Sequence, residues 1–267
     1  MAGIGTKEAE LIANLSDKRI RVFSVAEAAD LMKISRSIAS DLVLRLLKKK
    51  KLIRIEKAKY LIVPPEAWKT GEYTEEGIII ASQLLVPYYI SYWTALSFYG
   101  WTEQPSRMIF IATTKQKQTI QMQGTSFRFV TLGSERFFGF DEQWIGNQRV
   151  SVANKEKTIV DCLDQPRYCG EIVEVVKGLW NGRQELHFER IIEYARRMNN
   201  GAIIKRLGFL MDTLGINKPK LRNEMKKYIT SGYVSLDPGS KIKGTHNKEW
   251  SLRINVNQDN LTEWKTH

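Results

Sequence analysis

The sequence predicts an α+β protein in two parts, an N-terminal winged helix-turn-helix followed by a larger mixed α+β domain. Three observations predict it. Three amphipathic helical segments run into a short basic hairpin within the first 63 residues. The character of the chain changes after the proline-containing stretch "PPEAWKTGEY" (64–73), and in the remainder strands come before helices. A chain of 267 residues can bury two cores, so the expected division is 1–68 for the winged helix-turn-helix and 74–267 for the second domain, with 64–73 as linker.

The elements follow in order. Ala9, Leu11, Ile12 and Leu15 recur at helical spacing over 6–19 among Lys7, Glu8, Glu10 and Asp17. "SVAE" (24–27) is a capping box that opens a second helix through Met32, because Ser24 and Glu27 can each satisfy a backbone N–H of the other. "MKIS" is the turn, and Ser35 is the N-cap of a third helix running to about Lys50. On that helix Ile38, Ala39, Leu42, Val43 and Leu46 face inward. "LIRIE" (52–56) and "YLIV" (60–63) flank the loop "KAK" (57–59), which makes Lys57 and Lys59 the tip of a wing.

Charge says what such a unit is for. The formal net charge is +12, and residues 1–69 carry seven of it, 15 Lys and Arg against 8 Asp and Glu. Cations massed on a winged helix favour double-stranded DNA, with the third helix in the major groove and the wing on phosphates. The candidate DNA-binding residues are Arg36, Ser37, Ser40, Asp41, Arg45, Lys48, Lys57 and Lys59. Leu44 is apolar on this polar face, and two uses stay open: contact with a thymine methyl, or packing under the hairpin. The run Lys48 to Lys51 taken alone also suits a solvated helix C-terminus, where the dipole favours cations, and winged helices serve as protein docking modules too.

Farther along, "YYISYWTALSFYGW" (88–101) places seven aromatics in fourteen residues; without a flanking basic groove these read as core, with Ser91 capping a short helix. Strands are expected at 107–113, 126–132, 136–140 and 148–153, then helices at about 154–164, 171–179, 188–198, 202–214 and 218–230. Strand-like ends flank a Pro/Gly/Lys loop over 233–257.

Catalytic arrangements are scarce. "GS" (133–134) has the start of a nucleotidyltransferase motif, but Asp141 and Glu142 are adjacent and point to opposite faces of any strand, so they cannot jointly hold Mg²⁺. Glu224 and Lys226 have a nuclease-like spacing inside a helical pattern. His187, His246 and His267 are isolated, so neither a metal nor any cofactor is expected. The charged N-terminus and the lack of a long apolar run lead us to expect a cytoplasmic protein with no membrane partner, and Cys162 and Cys169 as reduced thiols.

"YYISYWTALSFYGWTEQ", "IFIAT", "FRFV" before "FFGF", "VSVANKEKTIVDCLDQPRYCG" and "FERIIEYARRMNNGAIIKRLGFLMDTLG" resemble, in order and spacing, the AbiEi family of antitoxins over residues 30–215. The segments 152–170 and 202–215 are its most specific pieces. The resemblance implies a transcriptional autorepressor and antitoxin, encoded beside a nucleotidyltransferase-like toxin. It also implies binding to inverted repeats in its own promoter, and neutralisation without a stable complex. Lys155, Lys157, Arg196, Arg197, Lys205 and Arg206 are the expected surface cations of the antitoxin domain. The alternatives are a winged-helix regulator whose second domain binds a ligand or protein, and a nuclease with dispersed carboxylates. Beyond Gly215 no family motif is evident.

Overall fold

The computed structural model describes residues 3–63, 77–104, 106–122, 124–146 and 148–266, so the expected linker at 64–73 lies outside the described residues. The fold is α+β. The chain divides into two units: residues 1–86 with 118–127, and residues 87–117 with 128–267.

The first unit begins with α1 (Thr6–Asp17), β1 (Val22–Ser24), α2 (Val25–Met32), α3 (Arg36–Lys48), β2 (Leu52–Glu56), β3 (Lys59–Ile62) and α4 (Gly77–Leu84). The capping box forms as the sequence dictates: Ser24 Oγ accepts from the Glu27 N–H at 3.2 Å, and Glu27 Oε2 accepts from the Ser24 N–H at 2.7 Å. Ser35 Oγ accepts from the Ile38 N–H to start α3. Between the two helices Lys33 adopts φ 53°, the left-handed conformation that lets α3 turn away from α2. Leu11, Leu15, Phe23, Ala39, Leu42, Val43 and Leu46 close the core beneath α3. Each fully buried Leu here contributes roughly 1.5–3 kcal/mol relative to exposure.

β1 was not legible as a strand. It pairs antiparallel with β3, which pairs in turn with β2, giving the order β1-β3-β2. Gln83 of α4 holds the edge, its Oε1 accepting from the N–H groups of Arg21 and Val22 at 3.1 and 2.7 Å.

Next come β4 (Tyr88–Ile90), α5 (Tyr92–Phe98), β5 (Met108–Thr113), β6 (Ile120–Met122), β7 (Thr125–Thr131), β8 (Phe140–Ile145) and β9 (Gln148–Ala153). The β6–β7 hairpin, paired from Ile120↔Phe127 to Met122↔Thr125, supplies residues 118–127 to the first unit. In the second unit β4 runs antiparallel to β5 and parallel to β9, and β9 pairs antiparallel with β8. The strand expected at 136–140 is not there. Residues 134–136 form a 3-10 turn and the strand starts only at Phe140, because Gly139 at φ 73° breaks the extended run. The phenylalanines consequently part, Phe137 and Phe140 packing on Tyr89 and Phe138 on Tyr194.

Helices α6 (Lys155–Asp164), α7 (Glu171–Gly182), α8 (Phe188–Arg197), α9 (Gly201–Leu214) and α10 (Pro219–Lys226) follow. Residues 156–164 of α6 are buried among α5, α7, α8 and α9. The aromatic stretch is core: Tyr89, Tyr92 and Trp101 are buried. The chain ends in β10 (Val234–Ser235), β11 (Thr245–Asn247) and β12 (Leu252–Ile254), a small sheet in the order β10-β12-β11. Trp250 ties it to α9, donating from Nε1 to Asp212 at 2.6 Å and lying so close over Gly208 that a β-carbon there would meet the indole at 2.2 Å.

Candidate nucleic-acid interface

The side of α3 opposite the core carries the residues that could read a polyanion. Arg36, Ser37, Asp41, Arg45 and Lys48 are exposed, and Ser40 is half-buried between them. Arg36, Asp41 and Lys48 make no side-chain hydrogen bond or ion pair with another described residue. Two apolar side chains share this outer surface. Leu44 is 50% exposed, so it does not pack under the hairpin. Ile38, expected to face inward, is 43% exposed. At 100° per residue it sits about 90° from the middle of the buried stripe, beyond what α1 and α2 can cover.

Arg45 has a partner within the fold. Its Nε lies 3.3 Å from Glu8 Oε1, while Lys49 Nζ donates to Glu8 Oε2 at 2.6 Å and to the Gly3 carbonyl at 2.8 Å. Burial pushes the Glu8 carboxyl up, but the bonds from Lys49 and the Gly5 N–H and the charges of Lys49 and Arg45 outweigh it and hold the group below the usual range. Glu8 thus clamps α1 to the last turns of α3. The sequence signal was present, an acid in α1 and cations in the last turns of α3, but only the tertiary fold pairs them.

At the wing, the expected three-residue loop is a two-residue turn. Strand pairing continues through Glu56↔Lys59 across a bulge, leaving Lys57 and Ala58 at the tip, with Ala58 at φ 61°. Lys57 projects as expected and is exposed. Lys59 does not. Its Nζ donates to the Leu84 carbonyl at 3.0 Å and lies 3.4 Å from Glu56, so it braces β3 against α4 instead of reaching outward.

With this geometry in view, the chain can be set beside known proteins. It matches the crystal structure of the Rv2827c protein from Mycobacterium tuberculosis. The TM-score is 0.70 at 13% identity, over 100% of this chain and 97% of that one. The two share a fold. No protein-family model and no curated protein matches the chain.

The cations expected on the surface of the second unit separate sharply. Lys157 is fully buried: its Nζ pairs with Asp161 and donates to Tyr89 OH at 3.0 Å, while Asp161 Oδ2 accepts from Ser91 at 2.7 Å and Tyr89 at 3.1 Å. Lys205 and Arg206 are buried too. Lys205 donates to the Gly232 carbonyl at 2.7 Å, and Arg206 spans the carbonyls of Leu163 and Ser235, with burial pulling its guanidinium down to about 10 against the charges of Asp164 and Asp237. These three are internal fasteners; on a helix that buries several faces, helical spacing alone cannot tell a cation that points inward to a carbonyl or carboxylate. Lys155 is partly exposed and paired with Glu185 at 2.5 Å. Arg196 and Arg197 are exposed, lying over the rings of Tyr228 and Phe138.

Cys162 and Cys169 are buried free thiols. Among the described residues no three His, Cys, Asp or Glu side chains are grouped to hold a metal, and no helix is long and apolar enough to cross a membrane.

Proposed function

We propose that this chain is a DNA-binding transcriptional repressor that inserts α3 into the major groove of its operator and counteracts a nucleotidyltransferase-like toxin encoded in the same operon. The observation that carries the DNA half is the outer face of α3. Arg36, Asp41 and Lys48 are exposed and unpaired there, beside Ser37 and Ser40, on a helix tied to α1 by Glu8 and flanked by a wing ending in Lys57. Arg36 at the N-terminal end is suited to a bidentate pair with guanine, and Lys57 to a phosphate. The antitoxin half rests on the resemblance in segments 152–170 and 202–215.

A non-enzymatic role is part of the proposal. Asp141 and Glu142 are adjacent and exposed on β8, and Lys226 of the nuclease-like triplet is tied to the Glu249 carbonyl. The experiment is a titration of wild type and Arg36→Ala against promoter DNA at fixed salt, together with growth on co-expression of the neighbouring toxin. Arg36→Ala should lose about 1–3 kcal/mol of sequence discrimination. Equal binding by the variant overturns the placement of α3. Binding without rescue of growth leaves a winged-helix regulator of another signal.

A further inference from the structure

The excess positive charge lies at both ends of the chain. Residues 70–215 balance, with 16 Lys and Arg against 16 Asp and Glu, whereas residues 216–267 hold 10 against 5. Operator reading by α3 does not use this second concentration.

Two groups of its cations stand apart. Arg222 and Lys226 of α10 face Asp212 and Glu249, and so hold the C-terminal sheet to α9. Lys241, Lys243 and Lys248 are exposed and face no described carboxylate. The sheet itself has two unlike faces. Leu252 and Ile254 are buried on one side. The register Ser235↔Arg253↔His246 puts these three side chains in a row on the other, where Arg253 and His246 are exposed and Arg253 donates to Ser235 Oγ at 2.6 Å. Tyr233, 49% exposed, sets its ring 4.5 Å from the His246 ring, and Ile242, 57% exposed, stands between Lys241 and Lys243 in the loop that leads into β11.

We propose that this face binds single-stranded nucleic acid. Tyr233, His246 and Ile242 give unpaired bases an aromatic and apolar surface, and Arg253, Lys241, Lys243 and Lys248 meet the phosphates. A duplex keeps its base faces stacked inside and offers nothing to rings lying on a sheet, so the combination of exposed rings with unpaired lysines favours an open strand. Trp250, seated over Gly208 and bonded to Asp212, fastens this sheet to α9.

The test uses the intact protein with labelled oligouridylate and oligothymidylate of about 12 nucleotides, within the usual single-strand site size, and a mixed-sequence duplex. Wild type should bind the single strands more tightly than that duplex. Tyr233→Ala should weaken them about fivefold or more, and Tyr233→Phe should retain them. Lys241→Ala with Lys243→Ala should lower the slope of log K against log salt by about 1.4. Arg36→Ala should leave single-strand binding unchanged, which separates this site from the proposed operator site. Tighter binding of oligouridylate identifies RNA as the strand; equal or tighter binding of oligothymidylate identifies DNA. No preference for single strands, binding unmoved by the Tyr233 and lysine variants, or binding abolished by Arg36→Ala overturns the proposal.

Discussion

Leu44 stands half exposed among Ser37, Ser40, Asp41 and Lys48, the kind of position from which an apolar side chain meets the 5-methyl group of thymine. Replacing thymines of the operator by deoxyuridine should weaken wild-type binding about fourfold per buried methyl, taking roughly 0.8 kcal/mol for each. Leu44→Ala should be indifferent to the same replacement. A wild type equally indifferent at every thymine would remove Leu44 from the readout. Glu8 works at the same scale through its charge. Its carboxyl is held below the ordinary value of 4.5, so the stability it adds is complete above that value and is lost as pH falls through the depressed one. The stability gap between wild type and Glu8→Gln, followed by urea unfolding of the first unit, should therefore be constant near neutrality and shrink under acid. A gap that widened toward low pH would contradict the clamp.

Among the elements, the turn before α3 and the wing make separable predictions. Lys33 holds a left-handed backbone that costs an L-residue roughly 1 kcal/mol, so Lys33→Gly should raise the melting temperature of the first unit by a few degrees without changing its affinity for DNA. At the wing, Lys57→Ala should lower the salt slope of duplex binding by about 0.9, and Lys59→Ala should leave it unchanged while destabilising the fold. Here the sequence was informative where a local signal sufficed. The capping box at Ser24 and Glu27, the cap at Ser35 and the apolar period of α3 each fixed an element boundary through short-range hydrogen bonds or periodicity. It was silent where the partner is remote. β1 is three residues long and exists because β3 and Gln83 satisfy it. Lys59 turns inward because a carbonyl of α4 waits for it. Ile38 is exposed against expectation because periodicity gives the direction of a side chain and not the extent of the surface that covers it. The exposed face of α3 was legible, Arg36 to Lys48, and illegible in which of its cations the fold itself would occupy.

For the molecule as a whole, the second unit is built around a charge it cannot expose. Lys157 and Asp161 are both fully buried on α6, and burial pushes the Asp161 carboxyl upward against the pull of Lys157, Ser91 and Tyr89. Removing one partner strands the other. Lys157→Met or Asp161→Leu alone should cost about 3–5 kcal/mol in the urea transition of this unit, whereas the two combined should recover most of that. Additive losses in the double variant would mean that the two groups are held independently.

The first unit is interrupted in the chain, since residues 118–127 belong to it and residues 87–117 do not. During translation its first 86 residues leave the ribosome without the β6–β7 hairpin, and 41 more must be added before that hairpin exists. At about 5–20 residues per second this is a delay of roughly 2–8 s. A nascent chain therefore holds every residue of the core beneath α3, from Leu11 to Ile62, before the last piece of its unit exists. Residues 118–127 of the first unit thus join it only after synthesis of the second unit has begun.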